Sequence, residues 1–426
     1  MNRKTFLKQS LIAGMGFAAS REAAFGRSAE RVGTQLSARI SDVETFVHPK
    51  ALFVKITTSD GVSGWGEGDH DNTRVIAQII QQLAKPILLG QDPFDSEYLW
   101  HEILYQNEDL GLSGALSGAL AGIDNALWDL KGKLTQLPVY KLLGGAKIDK
   151  VKVYGSFGVG SGKKRISPAK AAAIAAGFVE KGYDTVKLRM QIRVLDRNPD
   201  PDPTLKFAEA VRAAIGDQVT LFVDFNNGYT SGAAIPLIRA LHERYNVALV
   251  EEPVHYKDYQ GLQKCVAVSP VKIAAGEHDF NRWDYRQLIT EGQADVLNLD
   301  AIKAGGISEL KKISALAQAF DREIMCHNAR PTLATAASLH FIASTFNPAR
   351  VQEYAGTRPE LGLDPYFENG LEFSDGYLYV PQRPGIGLIP NERMMKKAPI
   401  RNKQGRPSPF LRTPSIVTAA VSVGIY

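Results

Sequence analysis

The chain has 426 residues, and 50 lysines and arginines against 45 aspartates and glutamates give it a net charge of +5. This surplus lies at the ends, because residues 1–33 carry +4 and residues 393–426 carry +7, which leaves −6 for the body. A nucleic-acid-binding domain needs clustered lysine and arginine on its folded surface, so the charge distribution argues against a nucleic-acid partner. With 44% hydrophobic and 22% charged residues, the composition is that of a globular protein long enough for a barrel and a smaller domain.

Residues 1–33 are predicted to be an export leader. The basic string Arg3-Lys4-Thr5-Phe6-Leu7-Lys8 precedes an apolar run at 11–19 that is too short to span a bilayer. The string resembles a twin-arginine leader with lysine at the second arginine position. We therefore expect a periplasmic or otherwise exported enzyme, with no membrane insertion once the leader is removed. The alternative is a frayed amphipathic arm on a cytoplasmic protein.

Residues 37–148 are predicted to form a small α+β unit. Two strands are expected at 40–47 and 51–57, and the turn-rich segment 60–68 returns to a third short strand. Helical periodicity then dominates, at 75–88, 93–104 and 113–133.

Residues 149–355 have a different pattern, in which short apolar strands alternate with amphipathic helices. The eight expected strands lie at 151–159, 184–190, 220–226, 248–253, 272–278, 295–300, 323–328 and 350–354. This alternation predicts an α/β fold with a parallel sheet closed as a (β/α) barrel. A doubly wound open sheet is the competing architecture, and the lack of a Gly-x-Gly-x-x-Gly turn after the first strand weakens it. Beyond the barrel, strand material at 371–380 is expected to return to the first unit, and residues 393–426 to form a loosely ordered basic tail.

Polar and ionisable residues close the successive predicted strands, from the second to the eighth. In chain order they are Lys187 and Arg189, Asp224 and Asn226, Glu251 and Glu252, Glu277 and His278, Asp300, His327 and Glu353. From Asp224 onward, steps of 23 to 27 residues separate these strand ends, which is one βα unit each. All are therefore expected at the same mouth of the barrel, where the active sites of such barrels lie.

Three of these carboxylates point to a metal ion. Asp224, Glu251 and Glu277 would repel one another at one barrel mouth unless a cation lay between them. Oxygen ligands without cysteine suit Mg²⁺. The alternative is a ring of salt bridges to neighbouring lysines and arginines. Alternation along the strand sends Glu251 and Glu252 to opposite faces, and the residues themselves do not decide which one is the ligand.

Asp300 and His327, on adjacent strands, point to a general base. A carboxylate that accepts a hydrogen bond from an imidazole fixes its tautomer and raises its basicity. The alternative is a histidine satisfied within the core. Lys303, in the turn after Asp300, is expected either to tune this pair or to be a solvated loop residue.

Several strings identify the chain as similar to the enolase superfamily, in its mandelate racemase/muconate lactonizing enzyme branch. They extend over about residues 38–390 and include Gly64-Trp65-Gly66-Glu67, the run from Gly122 to Gly132, Pro138 to Gly145, Glu251-Glu252-Pro253 and the run from Asp300 to Gly306. The resemblance implies an α+β capping domain, formed by residues 37–148 and completed by 356–392, over a (β/α)7β barrel. It implies one Mg²⁺ per subunit on Asp224, Glu251 and Glu277, abstraction of the proton α to a carboxylate, and a homo-oligomer. It also implies that a protonated Glu353 donates to the intermediate, unless Glu353 forms only a rim salt bridge.

The chain departs from racemizing relatives at Lys187-Leu188-Arg189, where they carry Lys-x-Lys. Arginine stays protonated, so Arg189 is a poor base but a good donor to a carboxylate or hydroxyl, and Lys187 is left as a charge or proton donor. A 1,1-proton transfer that inverts a stereocentre needs two acid–base groups, whereas β-elimination needs one. We therefore expect Mg²⁺-dependent dehydration of a sugar acid to a 2-keto-3-deoxy acid. An isomerase of the same fold, either a cycloisomerase or an epimerase, is the runner-up, and a non-catalytic sugar-acid-binding protein is the third possibility.

The expected substrate contacts are less closely defined. The string from Gly276 to Leu288, which contains His278, resembles dehydratases acting on rhamnonate and lyxonate, but the string from Cys326 to Pro331 differs from theirs. In similar proteins the cap loops that contain His48 and Asp69-His70-Asp71 cover the mouth, so these histidines are expected to touch substrate hydroxyls or else to be polar surface residues. The full expected set is Arg189, Asn226, His278, Glu353 and His48.

Overall fold

A computed structural model describes residues 38–328, 330–356 and 363–397. The predicted leader at 1–33 and residues 398–426 of the predicted tail lie outside the described residues. Within them, no helix is long and apolar enough to cross a membrane.

The N-terminal unit is a three-stranded antiparallel sheet covered by helices. Strands β1 (Ile40–His48), β2 (Ala51–Thr58) and β3 (Ser63–Gly68) pair in chain order. The helices are α1 (Thr73–Ile79), α2 (Lys85–Leu88), α3 (Ser96–Gln106), α4 (Ala115–Thr135) and α5 (Val139–Leu142), with a π-helical turn at Ile80–Ala84 joining α1 to α2. This unit is called the cap below.

Helix α4 lies directly against strand β3, and glycine makes this approach possible. A Cβ atom on Gly66 would lie 2.3 Å from the carbonyl oxygen of Gly122 on α4. Any side chain at Gly66 would therefore push the helix away from the sheet. The close approach fixes the relative position of Glu67 on β3 and Asp124 on α4, two residues that contact the barrel.

The second unit is a closed barrel. Its strands are β4 (Lys150–Gly158), β5 (Thr185–Arg189), β6 (Thr220–Asp224), β7 (Val247–Glu251), β8 (Lys272–Ala275), β9 (Val296–Leu299), β10 (Glu323–Cys326) and β11 (Gln352–Glu353). Neighbours from β4 to β10 pair in parallel, and β11 pairs in parallel with β4. Residues 347–349, just before β11, close the barrel on β10. Ile324 of β10 donates its N–H to Asn347 O and accepts from Ala349 N–H. The predicted barrel is confirmed, and the open sheet is wrong.

Helices surround the barrel, and side chains fill its interior. The helices are α6 (Pro168–Glu180), α7 (Thr204–Ile215), α8 (Ser231–Tyr245), α9 (Tyr259–Val268), α10 (Arg282–Gln287), α11 (Ile307–Ala319) and α12 (Leu333–Ala343). Inside, Phe222, Leu249, Met325 and Val351 belong to one buried cluster. Each lies two residues before a residue of the mouth, so strand alternation places an apolar floor under the predicted site.

The C-terminal segment differs in part from the expectation. Strands β12 (Phe373–Ser374) and β13 (Tyr377–Tyr379) form a hairpin, and β13 pairs antiparallel with Lys150–Lys152 of β4. The prediction that 371–380 return to the first unit is therefore wrong. The physical reason is that β4 begins before its pairing with β5, which starts at Gly155, so its first residues offer a free edge.

Later residues of the same segment do contact the cap. Ile386 N–H donates to Asp129 Oδ1 on α4 at 2.7 Å, and Glu392 forms an ion pair with Lys55 on β2 at 2.6 Å. Helix α13 (Glu392–Lys397) then buries Met395. The expectation of a loosely ordered tail from residue 393 is therefore wrong for residues 393–397, because an apolar side chain anchors them.

Candidate active site

The ends of the barrel strands bring the predicted carboxylates together. Asp224 and Glu251 are the last residues of β6 and β7 and are directly paired in register, and Glu277 follows β8 by two residues. One oxygen from each of the three lies within 4.8 Å of the others. All three side chains are buried. We call Asp224, Glu251 and Glu277 the carboxylate cluster.

The carboxylate cluster has the properties of a cation site. Glu251 Oε1 and Glu277 Oε2 are buried and accept no hydrogen bond. Burial, with repulsion from Glu277 and Glu252, raises the pKa of Asp224 to about 7, although Lys187 opposes the shift. Burial also raises the pKa of Glu251 well above its usual range. Ionised carboxylates packed this closely are stabilised by a hard cation, and these oxygen donors fit Mg²⁺.

The alternative ring of salt bridges accounts for only one member of this cluster. Lys187 Nζ lies 2.7 Å from Glu251 Oε2 and 3.5 Å from Glu353 Oε1. Among the described residues, no lysine or arginine side chain has a nitrogen within 4.0 Å of a carboxylate oxygen of Asp224 or Glu277. Lys187 is 1% exposed. Burial alone would lower its pKa, but the charges of Glu251 and Glu353 outweigh burial and raise the pKa well above its usual value. Lys187 is therefore held as a cation.

Arg189 closes β5 beside Asp224, its partner in the strand register. Its Nε atom is buried without a hydrogen-bond partner. Its guanidinium lies within electrostatic range of Glu353 and of all three members of the carboxylate cluster. An unsatisfied donor beside a cation site is suited to an anionic or hydroxylated ligand.

Asn226 supports the carboxylate cluster. Its backbone N–H and its side-chain Nδ2 both donate to Asp224, at 2.7 and 2.6 Å. Its Oδ1 accepts from Gln191 N–H at 2.7 Å. Because both ends of the amide already have protein partners, Asn226 positions Asp224, and the predicted substrate contact stays a prediction.

Asp300 and His327 form the predicted pair. His327 Nδ1–H donates to Asp300 Oδ2 at 2.8 Å, and Asp300 Oδ1 accepts from Ile302 N–H at 2.9 Å. His327 Nε2 lies 3.6 Å from Glu277 Oε2, so it faces the carboxylate cluster. Burial lowers the pKa of His327, but the charge of Glu277 and the bond to Asp300 outweigh it and raise the pKa to about 9. At neutral pH this imidazole therefore carries a proton on Nε2 as long as the charge of Glu277 is uncompensated. A cation on the carboxylate cluster would offset that charge and free Nε2 to act as a general base.

Lys303 is buried rather than solvated. Its Nζ donates to the backbone oxygen of Glu277 at 2.8 Å, and its charge lies within electrostatic range of Asp300. It therefore links the loop after β9 to the loop after β8.

Glu252 and His278 form a second group beside the carboxylate cluster. Glu252, at φ +45°, turns away from Glu251, and its Oε1 accepts from His278 Nδ1–H at 2.6 Å. Its Oε2 accepts from Asn227 Nδ2 at 2.7 Å. The His278 ring stacks on Tyr256, with the centroids 5.3 Å apart. Glu252 thus orients His278 toward the mouth, where the histidine is half-buried.

The last two predicted substrate contacts are Glu353 and His48. Glu353 Oε2 accepts from Asn328 N–H at 3.2 Å, and despite burial, Lys187 and His327 lower the pKa of Glu353 to about 2. The proton donation that the resemblance implies for Glu353 stays a prediction. His48 ends β1, and its ring packs edge-on against Tyr366, with centroids 5.4 Å apart. Its contact with substrate stays a prediction.

Side chains of the cap hold the loop that follows Asp300. The sequence analysis did not predict these contacts. Five hydrogen bonds of 2.7 to 3.2 Å join cap side chains to the backbone of this loop and the start of α11: Asn125 to Ala301 O, Ser117 to Lys303 O, Trp100 to Gly305 O, Ile307 N–H to Asn125, and Ser308 N–H to Asp124. Glu67 Oε2 similarly accepts from Ala334 N–H at 3.0 Å, near the start of α12. The cap therefore satisfies the free N–H groups at the starts of two barrel helices. The sequence signal for these contacts is that Glu67, Asp124 and Asn125, like the loop from Asp300 to Gly306, lie within strings shared with the resembled family.

Comparison with known sequences agrees with this architecture. A profile described as mandelate racemase/muconate lactonizing enzyme, N-terminal domain, matches residues 31–144, and one described as enolase C-terminal domain-like matches residues 170–394. A D-galactonate dehydratase from Pectobacterium atrosepticum is 31% identical over 84% of this chain and 93% of its own length. Another, from Ralstonia nicotianae, is 33% identical over 82% of this chain and 90% of its own length.

Solved structures show the same likeness. The 3,6-anhydro-D-galactonate cycloisomerase from Zobellia galactanivorans is 30% identical with a TM-score of 0.76, over 84% of this chain and 99% of that one. A mandelate racemase/muconate lactonizing protein from Paracoccus denitrificans, complexed with magnesium, is 30% identical with a TM-score of 0.78, over 85% of this chain and 98% of that one. The chain belongs to the enolase superfamily, in its mandelate racemase/muconate lactonizing enzyme branch.

Proposed function

We propose that the protein catalyses the Mg²⁺-dependent dehydration of a sugar acid, an aldonate or an aldarate, to a 2-keto-3-deoxy acid. The observation that carries the proposal is the single base: His327, held by Asp300, presents Nε2 beside the carboxylate cluster. The D-galactonate dehydratases at 31% and 33% identity support a hydro-lyase.

Asp224, Glu251 and Glu277 would hold the Mg²⁺. When bound, the ion supplies positive charge beside the substrate carboxylate, where negative charge accumulates as the α-proton leaves. Arg189 is placed to donate to the substrate carboxylate or an adjacent hydroxyl, because its Nε has no protein partner. Lys187 holds Glu251 in place through their 2.7 Å ion pair.

The proton steps belong to His327. Its Nε2 takes the proton from the α-carbon, and Asp300 stabilises the resulting imidazolium. The electron pair of the broken C–H bond then forms the Cα–Cβ double bond as the β-hydroxyl leaves. His327 returns the proton to that hydroxyl, which departs as water, and the enol product becomes the 2-keto-3-deoxy acid.

Arg189 argues against an epimerase. A second base on the opposite face must lose its proton at neutral pH, whereas Arg189, at the position where racemizing relatives carry the second lysine, stays protonated. Cycloisomerisation also needs only one base, and the cycloisomerase from Zobellia galactanivorans keeps it as the second candidate.

One experiment distinguishes these activities. The purified protein with Mg²⁺ is incubated with a library of sugar acids, and 2-keto-3-deoxy acids are detected with semicarbazide. Product from an open-chain acid, lost in His327→Asn, is the expected result. The opposite result would be an open-chain acid whose α-proton exchanges with deuterated water while no keto-deoxy product forms. That result would contradict dehydration and favour an isomerase.

Export is proposed from residues 1–33 alone. Fusing these residues to a reporter that is active only after twin-arginine export tests it, with Arg3→Lys as the matched variant. A reporter retained in the cytoplasm would contradict the proposal.

A further inference from the structure

The carboxylate of Glu67, on β3 of the cap, is directed at the segment that follows His327 in the barrel. Its Oε2 accepts from Ala334 N–H at 3.0 Å, and the side chain of Thr332 is placed to donate to the same carboxylate. Burial raises the pKa of Glu67 to about 7, while Thr332, Arg330 and Ala334 N–H oppose this shift by stabilising the ionised form. All three partners belong to the short segment between His327 and the first turn of α12.

A neighbouring cap side chain holds the loop that carries Asp300. Asn125 is buried on α4, and its Nδ2 donates at 2.9 Å to the backbone oxygen of Ala301, directly after Asp300. The same Nδ2 also donates to the backbone oxygen of Glu67 at 3.3 Å. Two adjoining cap residues therefore contact both of the loops that carry the Asp300–His327 pair.

The packing of β3 on α4 fixes the spacing between these two cap residues. Gly66 precedes Glu67, and a Cβ atom on Gly66 would lie 2.5 Å from the backbone nitrogen of Ala126, which follows Asn125. Only glycine allows two backbones to approach this closely. Because close-packed interiors have low compressibility, the cap holds the two barrel loops at one separation.

The Asp300–His327 hydrogen bond is sensitive to that separation. It joins two different strand ends, with 2.8 Å between Oδ2 and Nδ1. A displacement of about 1 Å would take the two atoms beyond hydrogen-bonding distance. Misplacing a catalytic group by about 1 Å can cost about 10²-fold in rate.

We propose that Glu67 is a positioning residue for His327. It anchors the segment after β10 to the cap and so sets the distance and orientation of the imidazole relative to Asp300. This inference rests on the proposed function, because it takes His327 as the base.

The first test needs no substrate. Long-range ¹H–¹⁵N spectra of the histidine-labelled, Mg²⁺-loaded protein are recorded, and the His327 signals are those missing from His327→Asn. Glu67→Ala should shift the ring-nitrogen signals of His327 in the direction seen in Asp300→Asn, where the hydrogen-bonded charge is lost. Unchanged His327 signals in Glu67→Ala would overturn the inference.

The second test is kinetic and uses the substrate found in the sugar-acid library. Glu67→Ala should lower kcat by about 10²-fold while KM and the affinity for Mg²⁺ stay within about 2-fold, because Glu67 contacts the segment after β10 and the carboxylate cluster ends β6 to β8. Glu67→Gln keeps an oxygen that can accept from Ala334 N–H, so it should recover at least about 10-fold of the loss.

Asp202→Ala is the matched control for both tests. Asp202 Oδ1 accepts from Thr204 N–H at 2.8 Å, at the start of α7, so it makes the same kind of contact. It follows β5, however, which lies across the barrel from β9 and β10. Asp202→Ala should leave the His327 signals and kcat as in the native protein.

The outcomes separate the two proposals. If Glu67→Ala keeps the native kcat, or loses Mg²⁺ affinity and KM as much as kcat, Glu67 does not position the base and the inference is wrong. If the native protein releases no keto-deoxy acid from any sugar acid but Glu67→Ala still shifts the His327 signals, the positioning stands and the proposed dehydration fails.

Discussion

The carboxylate of Asp300 and the imidazole of His327 lie on neighbouring strand ends, with 2.8 Å between Oδ2 and Nδ1. This hydrogen bond occupies one ring nitrogen and leaves Nε2 as the only one that can reach a substrate. The other carboxylate oxygen accepts from Ile302 N–H, so the pair is tied to the loop after β9. The orientation of the base therefore depends on how firmly that loop is held.

The first prediction concerns Asp300. Replacing it by asparagine removes the negative charge that stabilises the imidazolium and allows the wrong tautomer, so kcat should fall by about 10²- to 10⁴-fold. Keto-acid release and α-deuterium incorporation measure the effect, and both should fall together. Asp295→Asn is the matched control, since Asp295 precedes the same strand at the opposite barrel end. Full turnover by Asp300→Asn would show that another group holds His327.

The second prediction separates Glu251 from Glu252. Glu251→Gln removes a member of the carboxylate cluster and should weaken Mg²⁺ binding by more than about 100-fold. Loss of a residue that only hydrogen-bonds to a metal ligand costs about 10- to 100-fold. Glu252→Gln keeps the carboxylate cluster intact and should weaken Mg²⁺ binding far less, while disturbing His278. Calorimetric titration with Mg²⁺ compares the two variants. A larger loss in Glu252→Gln would assign the metal to the group formed by Glu252, Glu277 and His278 instead.

Strand-end residues could be predicted from sequence because strand periodicity and the βα repeat are regular. Asp224 and Glu251 end their strands as expected, and the apolar residue two positions earlier fills the floor. Strand alternation alone does not choose between Glu251 and Glu252, and only the resemblance favours Glu251. The backbone agrees with that choice, because a positive φ at Glu252 directs its side chain to Asn227 and His278.

Contacts that join distant parts of the chain could not be predicted in this way. The Asp124–Ser308 bonds connect residues 184 positions apart, and local patterns carry no information about such pairs. The pairing of β13 with β4 depends on a strand edge that is left free because β4 begins before its pairing with β5.

The third prediction tests the contact between cap and barrel. Asp124 accepts from both Ser308 N–H and Ser308 Oγ–H, at 2.8 and 2.6 Å, and Gly306 leaves room for it, because a Cβ there would lie 2.5 Å from Asp124 Oδ2. Asp124→Ala should lower the free energy of unfolding by about 2 kcal/mol, since it leaves buried donors unpaired. It should also lower kcat more than it raises KM, because the freed loop carries Asp300. Denaturant unfolding and steady-state kinetics provide the two measurements.

Asp109→Ala, at an exposed position of the cap, serves as the control for Asp124→Ala. It should change neither stability nor kcat. If Asp124→Ala loses stability but keeps the kcat of the native enzyme, the contact holds the domains together without positioning the base.

The fourth prediction concerns His340, which is buried in α12 where the cap, the barrel and the C-terminal segment meet. Its Nδ1 accepts from Tyr140 N–H at 3.3 Å, and its Nε2–H donates to Ile386 O at 3.1 Å. Burial lowers the pKa of His340 to about 4, so the folded protein keeps this imidazole neutral. The unfolded chain binds the proton from about pH 6.5 downward, so stability present above pH 6.5 is lost as the pH falls toward 4.

Over that interval His340 should account for about 3 kcal/mol of the loss in unfolding free energy, because each unit of pKa difference corresponds to about 1.4 kcal/mol. Denaturant unfolding between pH 4 and pH 7 measures it. His340→Gln cannot gain the proton, so its unfolding free energy should fall less steeply over this range, although its stability at pH 7 is lower. His101→Gln, on the cap helix α3, should keep the slope of the native chain. If the unfolding free energy of the native protein and of His340→Gln fell equally steeply with pH, protonation of His340 would not be the cause of the acid sensitivity.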